Sequence, residues 1–274
     1  MQRIFLIGIA LGAVWAQPSL PFEPNHDSGQ SITGAFEGWF PNPDGTFSLL
    51  LGYYNRNQKQ IIDIAPGPDN RIEPEGPDRG QPTHFLPGRQ WGVFTITVPR
   101  DFGEKKLTWT LVANGKTTVI PVGLHPQYEV QPFQEASGNT PPFIAFSENG
   151  PFVQGPRGQS KDLTTTVSNP VAISLWLADD AKTVLTARPP GPPVTIAWSK
   201  FRGPGAVNFS NDRPPVEKAE FKAPAIFTGT ASITAKFSEP GEYILRVVAN
   251  DWSGDGGRGF QCCWTNAQVK VTVK

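Results

Sequence analysis

The sequence predicts an all-β chain: two immunoglobulin-like β-sandwich domains in tandem after a signal peptide. Three observations predict it. Val, Ile, Thr, Phe and Trp recur in short alternating stretches bounded by turn residues, the pattern of sandwiches and barrels. Long, capped helical patterns are almost absent. The 28 Gly and 29 Pro among 274 residues, about a fifth of the chain, fall between those stretches and form no low-complexity tract. Aromatic residues are too frequent, at 11%, and too regularly placed for a disordered Pro-rich linker.

Taken from the beginning, Arg3 precedes an apolar run from Ile4 to Val14, and Val14-Trp15-Ala16 then leads into Gln17-Pro18. This is the charged, apolar and small-residue order of a secretory signal, with cleavage expected after Ala16. The apolar run is roughly half the ~20 residues that a membrane-spanning helix needs, so residues 1–16 read as a leader rather than an anchor. No Cys follows the cleavage site, which leaves a lipid attachment there unsupported. No later stretch is apolar for long enough to span a bilayer. The mature protein is expected to be secreted or periplasmic, without a transmembrane segment.

Lys plus Arg and Asp plus Glu balance at 24 each, so there is no basic footprint for nucleic acid or an anionic membrane. The two cysteines, Cys262 and Cys263, are adjacent. Both cores must therefore hold by burial, without the inter-sheet disulfide of antibody domains.

The first domain is expected over residues 32–130. Ile32 to Phe40, the turn Pro41-Asn42-Pro43-Asp44-Gly45 and Phe47 to Tyr54 form a β-hairpin. Further strands are read at Gln58 to Ile64, Gly92 to Val98 and Leu107 to Val112. Asn114-Gly115 then turns the chain into Lys116 to Val122, and Asn-Gly between alternating runs is among the strongest hairpin signals. Between the strands lies a polar loop from Ala65 to Gln90, longer than the ~12–15 residues common in compact domains, which marks it as functional or disordered. Residues 131–142, rich in Pro, Gln, Ser and Gly, read as a linker.

The second domain is expected over residues 143–274, with strands at Leu163 to Val167, Ala172 to Ala178, Val194 to Ser199, Ala231 to Phe237, Gly241 to Ala249 and Ala267 to Val273. Pro240-Gly241 can turn the chain between sheets, and Tyr243 can bury its ring while its hydroxyl bonds nearby backbone. Ile244, Arg246 and Val248 then share one face, and Leu245, Val247 and Ala249 the other.

Two stretches here carry a family likeness. One is Trp198-Ser199-Lys200-Phe201-Arg202-Gly203-Pro204-Gly205-Ala206-Val207-Asn208-Phe209. The other runs from Ala231 to Asp251 and contains Pro240-Gly241-Glu242-Tyr243-Ile244-Leu245-Arg246-Val247-Val248-Ala249-Asn250-Asp251. Together they resemble the polycystic-kidney-disease (PKD) type of immunoglobulin-like domain, over about half of the second domain. The loop Ala178 to Pro193 departs from that pattern, being longer and richer in Pro. The resemblance implies a spacer, adhesion or ligand-binding module on an exported protein, and fold alone does not determine which. The first domain has no such signature and is assigned on its strand pattern.

Three places could carry chemistry. In the polar loop, Asp69, Arg71, His84, Arg89 and the adjoining Trp91 are the expected ligand-binding residues, toward a protein or carbohydrate partner outside the cytoplasm. Asp251-Trp252-Ser253-Gly254-Asp255-Gly256 places oxygens at the first, third and fifth positions and Gly at the sixth, as in the opening of a calcium loop. Its twelfth position is Cys262 rather than a bidentate Glu and no helices flank it, so a Gly-rich hairpin is the preferred reading, with calcium at Asp251, Ser253 and Asp255 as the competing one. Cys262-Cys263 could form a vicinal disulfide, remain unpaired, or bridge a metal or a second chain. Adjacent Cα atoms across a trans peptide are ~3.8 Å apart, below the usual ~4.4–6.8 Å disulfide span, so direct bonding requires a distorted or cis peptide.

No nucleophile elbow, zinc-protease, Walker or dinucleotide motif appears, and His26, His84 and His125 are scattered. No cofactor is expected beyond the calcium reading. The expected function is an exported, non-enzymatic binding or adhesion protein using loops of its sandwiches. Its alternatives are a structural spacer or assembly subunit, and a metal-binding protein or hydrolase built on Asp251 to Cys263.

Overall fold

A computed structural model describes residues 26–182, 191–252 and 262–274. The expected signal peptide lies outside the described residues, as do Ser253 and Asp255.

The N-terminal half contains β1 (Ile32–Pro41), β2 (Phe47–Asn55), β3 (Ile62–Asp63), β4 (Asn70–Glu73), β5 (His84–Phe85), β6 (Gly88–Val98), β7 (Lys106–Ala113) and β8 (Lys116–Gly123). One sheet has the order β1-β2-β6 and the other β4-β7-β8, with β3 and β5 pairing as a small ribbon. The chain thus crosses between sheets after β2, β4 and β6, then closes with a hairpin. This places β1, β2 and β6 as strands A, B and E of an immunoglobulin-like sandwich, and β4, β7 and β8 as C, F and G. The predicted Asn-Gly turn has φ +49° at Asn114 and +73° at Gly115, as a two-residue hairpin turn requires. Between the sheets, Trp109 and Ile120 fill the space that a side chain at Gly34 would need.

The stretch expected as a strand from Gln58 to Ile64 is extended only at Ile62–Asp63. Asn55 takes the preceding residues into a turn: its Oδ1 accepts from Asn57 N at 3.1 Å, and its Nδ2 donates to Gln60 O at 2.8 Å. The expected loop from Ala65 to Gln90 is more structured than its composition implied. It contains β4, β5 and the start of β6, and is organised around fully buried Asn70. Asn70 Nδ2 donates to Ile64 O (3.0 Å) and Pro82 O (2.8 Å), while its Oδ1 accepts from Trp109 Nε1 (3.0 Å). Gln81, also fully buried, donates to Asn70 O and Pro77 O. These amides replace the backbone pairing that six prolines in residues 66–87 deny this segment.

After a 3-10 turn at Pro126–Tyr128, the C-terminal half contains β9 (Phe143–Ala145), β10 (Gln159–Thr165), β11 (Val171–Asp179), β12 (Thr195–Arg202), β13 (Val207–Phe209), β14 (Glu217–Lys218), β15 (Phe227–Phe237), β16 (Gly241–Asn250) and β17 (Trp264–Val273). One sheet runs β13-β15-β11-β9, with β14 beside β15, and the other β10-β17-β16-β12. The pairing of β10 with β17 is parallel and the rest of that sheet antiparallel. Strands A, B, E and D thus face A′, G, F and C, again the immunoglobulin-like arrangement. The Tyr243 hydroxyl donates to Glu239 O at 2.8 Å and accepts from Gly205 N at 3.1 Å, forming the tyrosine corner that the sequence predicts.

Each half has its own core. Leu245, Val247 and Ala249 of β16 point into the second core, together with Trp198, Ile233 and Val269. The opposite face of β16 is also covered. Ile244 packs against the first core, which takes in Phe201 as well, and Val248 packs against a junction cluster of Phe40, Leu50, Val130 and Trp264. Polar bonds reinforce this contact. Arg202 makes a bidentate pair with Asp78 (2.9 and 2.7 Å) and donates to Gln81 O, and Thr83 N donates to Phe201 O at 3.1 Å. Lys200 Nζ lies 3.3 Å from Asp63.

Candidate binding cleft between the two sandwiches

The cleft is set by a bulge in β6. Pairing with β2 joins Leu51 to Phe94 and Tyr53 to Gln90, so Trp91, Gly92 and Val93 stand opposite Gly52. The extra residues turn Trp91 outward, where it is 36% exposed, and put Gly92 at φ +50°. Gly92 then lies against the Trp264 indole, which occupies the space a side chain would need. Its carbonyl accepts from Asn266 Nδ2 (2.7 Å) and Arg246 Nη2 (3.3 Å) of the second sandwich, and its N–H donates to Glu37 Oε2 at 2.6 Å.

Glu37 is the electrostatic anchor. Burial pushes its carboxyl above the usual glutamate range, against the opposing pull of Arg89 and the Gly92 N–H. Arg89 Nη2 donates to Glu37 Oε1 at 2.6 Å and Nη1 to Tyr53 O at 3.0 Å. Its guanidinium lies 3.8 Å from the centre of the Trp91 ring, a cation–π stack. The stack forms one wall of a cleft of about 230 Å³, whose second-sandwich side includes Trp198, Asp212, Arg213 and Asn250. This is smaller than the ~300–1,000 Å³ of sites for drug-sized ligands. It fits one side chain or one ring-sized group of a larger partner.

Of the residues expected to bind ligand, Arg89 and Trp91 come together here, while Asp69, Arg71 and His84 do not line the cleft. Asp69 O accepts from Val112 N at 2.9 Å, at the turn leading into β4. Arg71 pairs with Glu73 at 2.9 Å and reaches Pro68 O. His84 Nδ1 lies 2.7 Å from Asp63, which also meets Lys200, and burial lowers the His84 pKa. The loop also supplies Asp78, Gln81 and Thr83 to the contact between halves. Asp212 and Arg213 went unnoticed in the sequence because no short-range pattern links them to Trp91. They reach it through the bond from Trp198 N to Asp212 O at 2.7 Å, which fastens their loop along β12.

Asp251 is buried at the end of β16. Cys262 and Cys263 are bonded to each other across a cis peptide, with Cα atoms 3.1 Å apart, and both are buried. Of the three arrangements open from the sequence, this is the vicinal disulfide. No helix among the described residues is long and apolar enough to cross a membrane.

No family model matches the chain, and no curated protein matches it. Solved structures similar to it include the ASH/PapD-like domain 7 of human CEP192, 14% identical, covering 56% of this chain and 97% of that one at a TM-score of 0.27. Domains 4 and 5 of the S-layer protein SbsC are 11% identical over 89% and 98%, at 0.24. The D00-D0 domain of intimin is 14% identical over 88% and 99%, at 0.25. Similarity at this level carries no argument about what the chain does. Its own strand order and tyrosine corner make it a pair of immunoglobulin-like sandwiches.

Proposed function

We propose that this protein is an exported, non-enzymatic binding module in which the two sandwiches act as one rigid body and the cleft between them contacts the partner. The carrying observation is the Arg89–Trp91 stack. A large aromatic face is held at the surface by a guanidinium that is itself fixed by largely buried Glu37, whose side chain is 9% exposed. A preorganised aromatic face loses little entropy on binding, and an exposed Trp beside Arg suits a sugar ring or a planar side chain. The leader-like residues 1–16 support export. The likeness of Trp198 to Phe209 and Ala231 to Asp251 to PKD domains supports a module of that type.

The second reading, a spacer or assembly subunit, is favoured by the use of Asp78, Gln81 and Thr83 in the contact between halves. One experiment separates the two. Trp91→Ala and Arg213→Ala variants are assayed against immobilised envelope polysaccharides and purified surface proteins, with melting curves confirming the fold. Loss of binding in both, at unchanged stability, supports the cleft. Unchanged binding refutes it and leaves the spacer reading.

A further inference from the structure

Near the end of the second sandwich where β11 and β16 finish lie three buried polar side chains, with Asp251 close enough to Asp179 for their charges to interact. Asp179 is fully buried, Asn139 is 1% exposed and Asp251 3%. Asn139 Nδ2 donates to Asp251 Oδ2 at 2.6 Å, which brings the other amide atom, Oδ1, to within a few ångströms of that carboxylate. Asn139 Oδ1 and Asp179 Oδ2 are both buried without a hydrogen-bond partner. The remaining oxygen of Asp179 accepts from Ala181 N at 2.8 Å. Burial, together with the charges of Asp251 and Asp180, pushes Asp179 up to about 8.

Neighbouring groups do not relieve this arrangement. Asp180 adds negative charge, but its oxygens are engaged by Thr140 N, Thr140 Oγ1 and Lys182 N. The Lys182 ammonium lies 3.8 Å from Asp180 and donates to Gly138 O. Two empty acceptors at a buried site that also gathers carboxylates are costly unless something positive satisfies them together. Hard oxygen donors of this kind are the ligands of alkaline-earth cations.

We propose that Asn139, Asp179 and Asp251 form a binding site for a divalent cation of the calcium type. The donor set is two carboxylates and an amide oxygen, and no three His, Cys, Asp or Glu side chains converge among the described residues. Calcium fits better than magnesium because it accepts irregular sets of oxygens, completed by carbonyls and water, whereas magnesium demands near-ideal octahedral geometry. The site shares only Asp251 with the calcium loop read from the sequence, and it draws its other ligands from residues 72 and 112 positions earlier in the chain. It holds whether or not the cleft at Trp91 binds a partner.

The test uses the full mature chain, stripped with chelator and then titrated with calcium chloride or magnesium chloride in a calorimeter and in thermal melts. With the affinity of exported calcium modules, Kd about 10⁻⁴–10⁻³ M, about 10 mM calcium should raise Tm by roughly 3 to 10 °C, with less effect from magnesium. Asp179→Asn should abolish the calcium increment while melting at or above the wild type without metal. Asp101→Asn, at an exposed carboxylate, should keep the increment. No calcium increment in the wild type, or an equal one in Asp179→Asn, overturns the proposal. If Asp179→Asn does not fold, Asn139→Asp decides. A lower metal-free Tm with a larger calcium increment is expected, and an increment no larger than that of wild type overturns the site.

Discussion

Gly92→Ala tests how tightly the two sandwiches are fitted together. Gly92 has φ +50°, and its peptide is held at both ends by Glu37, Asn266 and Arg246. A residue with a Cβ costs about 1–2 kcal/mol in the left-handed region. The new methyl also meets the Trp264 indole, which is 2% exposed and packed against Phe40, Leu50 and Val130, so it cannot swing into solvent without opening that cluster. Forcing a methyl into a filled site costs about 1–3 kcal/mol. The expected loss is therefore about 2–5 kcal/mol, read from urea denaturation followed by tryptophan fluorescence. Gly115→Ala isolates the backbone part, because Gly115 has φ +73° and nothing within reach of a Cβ. It should lose about 1–2 kcal/mol. If Gly92→Ala costs no more than Gly115→Ala, the close fit of Trp264 on β6 is wrong.

Three further outcomes follow from the same geometry. Asn70→Ala strands the Ile64 and Pro82 carbonyls and the Trp109 N–H, and should cost at least about 3 kcal/mol by denaturation, at about 1–3 kcal/mol for each buried group left unpaired. Tyr243→Phe removes the corner hydroxyl, leaves Glu239 O and Gly205 N without it, and should cost about 1–3 kcal/mol in the same assay. His84 is lowered by burial from its ordinary 6.5, despite the Asp63 carboxylate beside it. The folded state then binds its proton less readily than the unfolded chain. The His84 contribution is full above 6.5 and is lost as pH falls through the folded value. Stability of wild type minus His84→Gln should therefore decline from pH 7.5 to 5, and a difference that rises or stays flat contradicts this. Glu37, raised by burial, acts in the opposite sense in both proteins and cancels in the difference.

The elements legible in the sequence are those fixed by local pattern. Alternation revealed the long strands, Asn114-Gly115 its hairpin, and Pro240-Gly241-Glu242-Tyr243 the corner, because each depends on residues close in sequence. The strand β4 was hidden because four residues between prolines carry little alternation, and its order comes from Asn70 reaching Trp109, 39 residues away. Arg202 gave no sign of its role because its partner Asp78 lies 124 positions earlier. Trp264 shows no local sign of its place, because it is sealed against Gly92 by the approach of the other sandwich. Of the expected site, Arg89 and Trp91 meet at the cleft because they flank the β6 bulge, whereas His84 and Arg71 find partners within their own half. The buried triad of Asn139, Asp179 and Asp251 is assembled from three distant segments, which no spacing rule reaches.

The central claim is that the two sandwiches move as one body, joined through Arg202–Asp78, the Gly92 carbonyl and the covered outer face of β16. Residual dipolar couplings measured on backbone amides of both halves in a weakly aligned sample test it most directly. A single alignment tensor fitting residues 32–123 together with residues 143–182, 191–252 and 262–274 is the predicted result. Two tensors differing in magnitude or orientation would mean independent motion and contradict it.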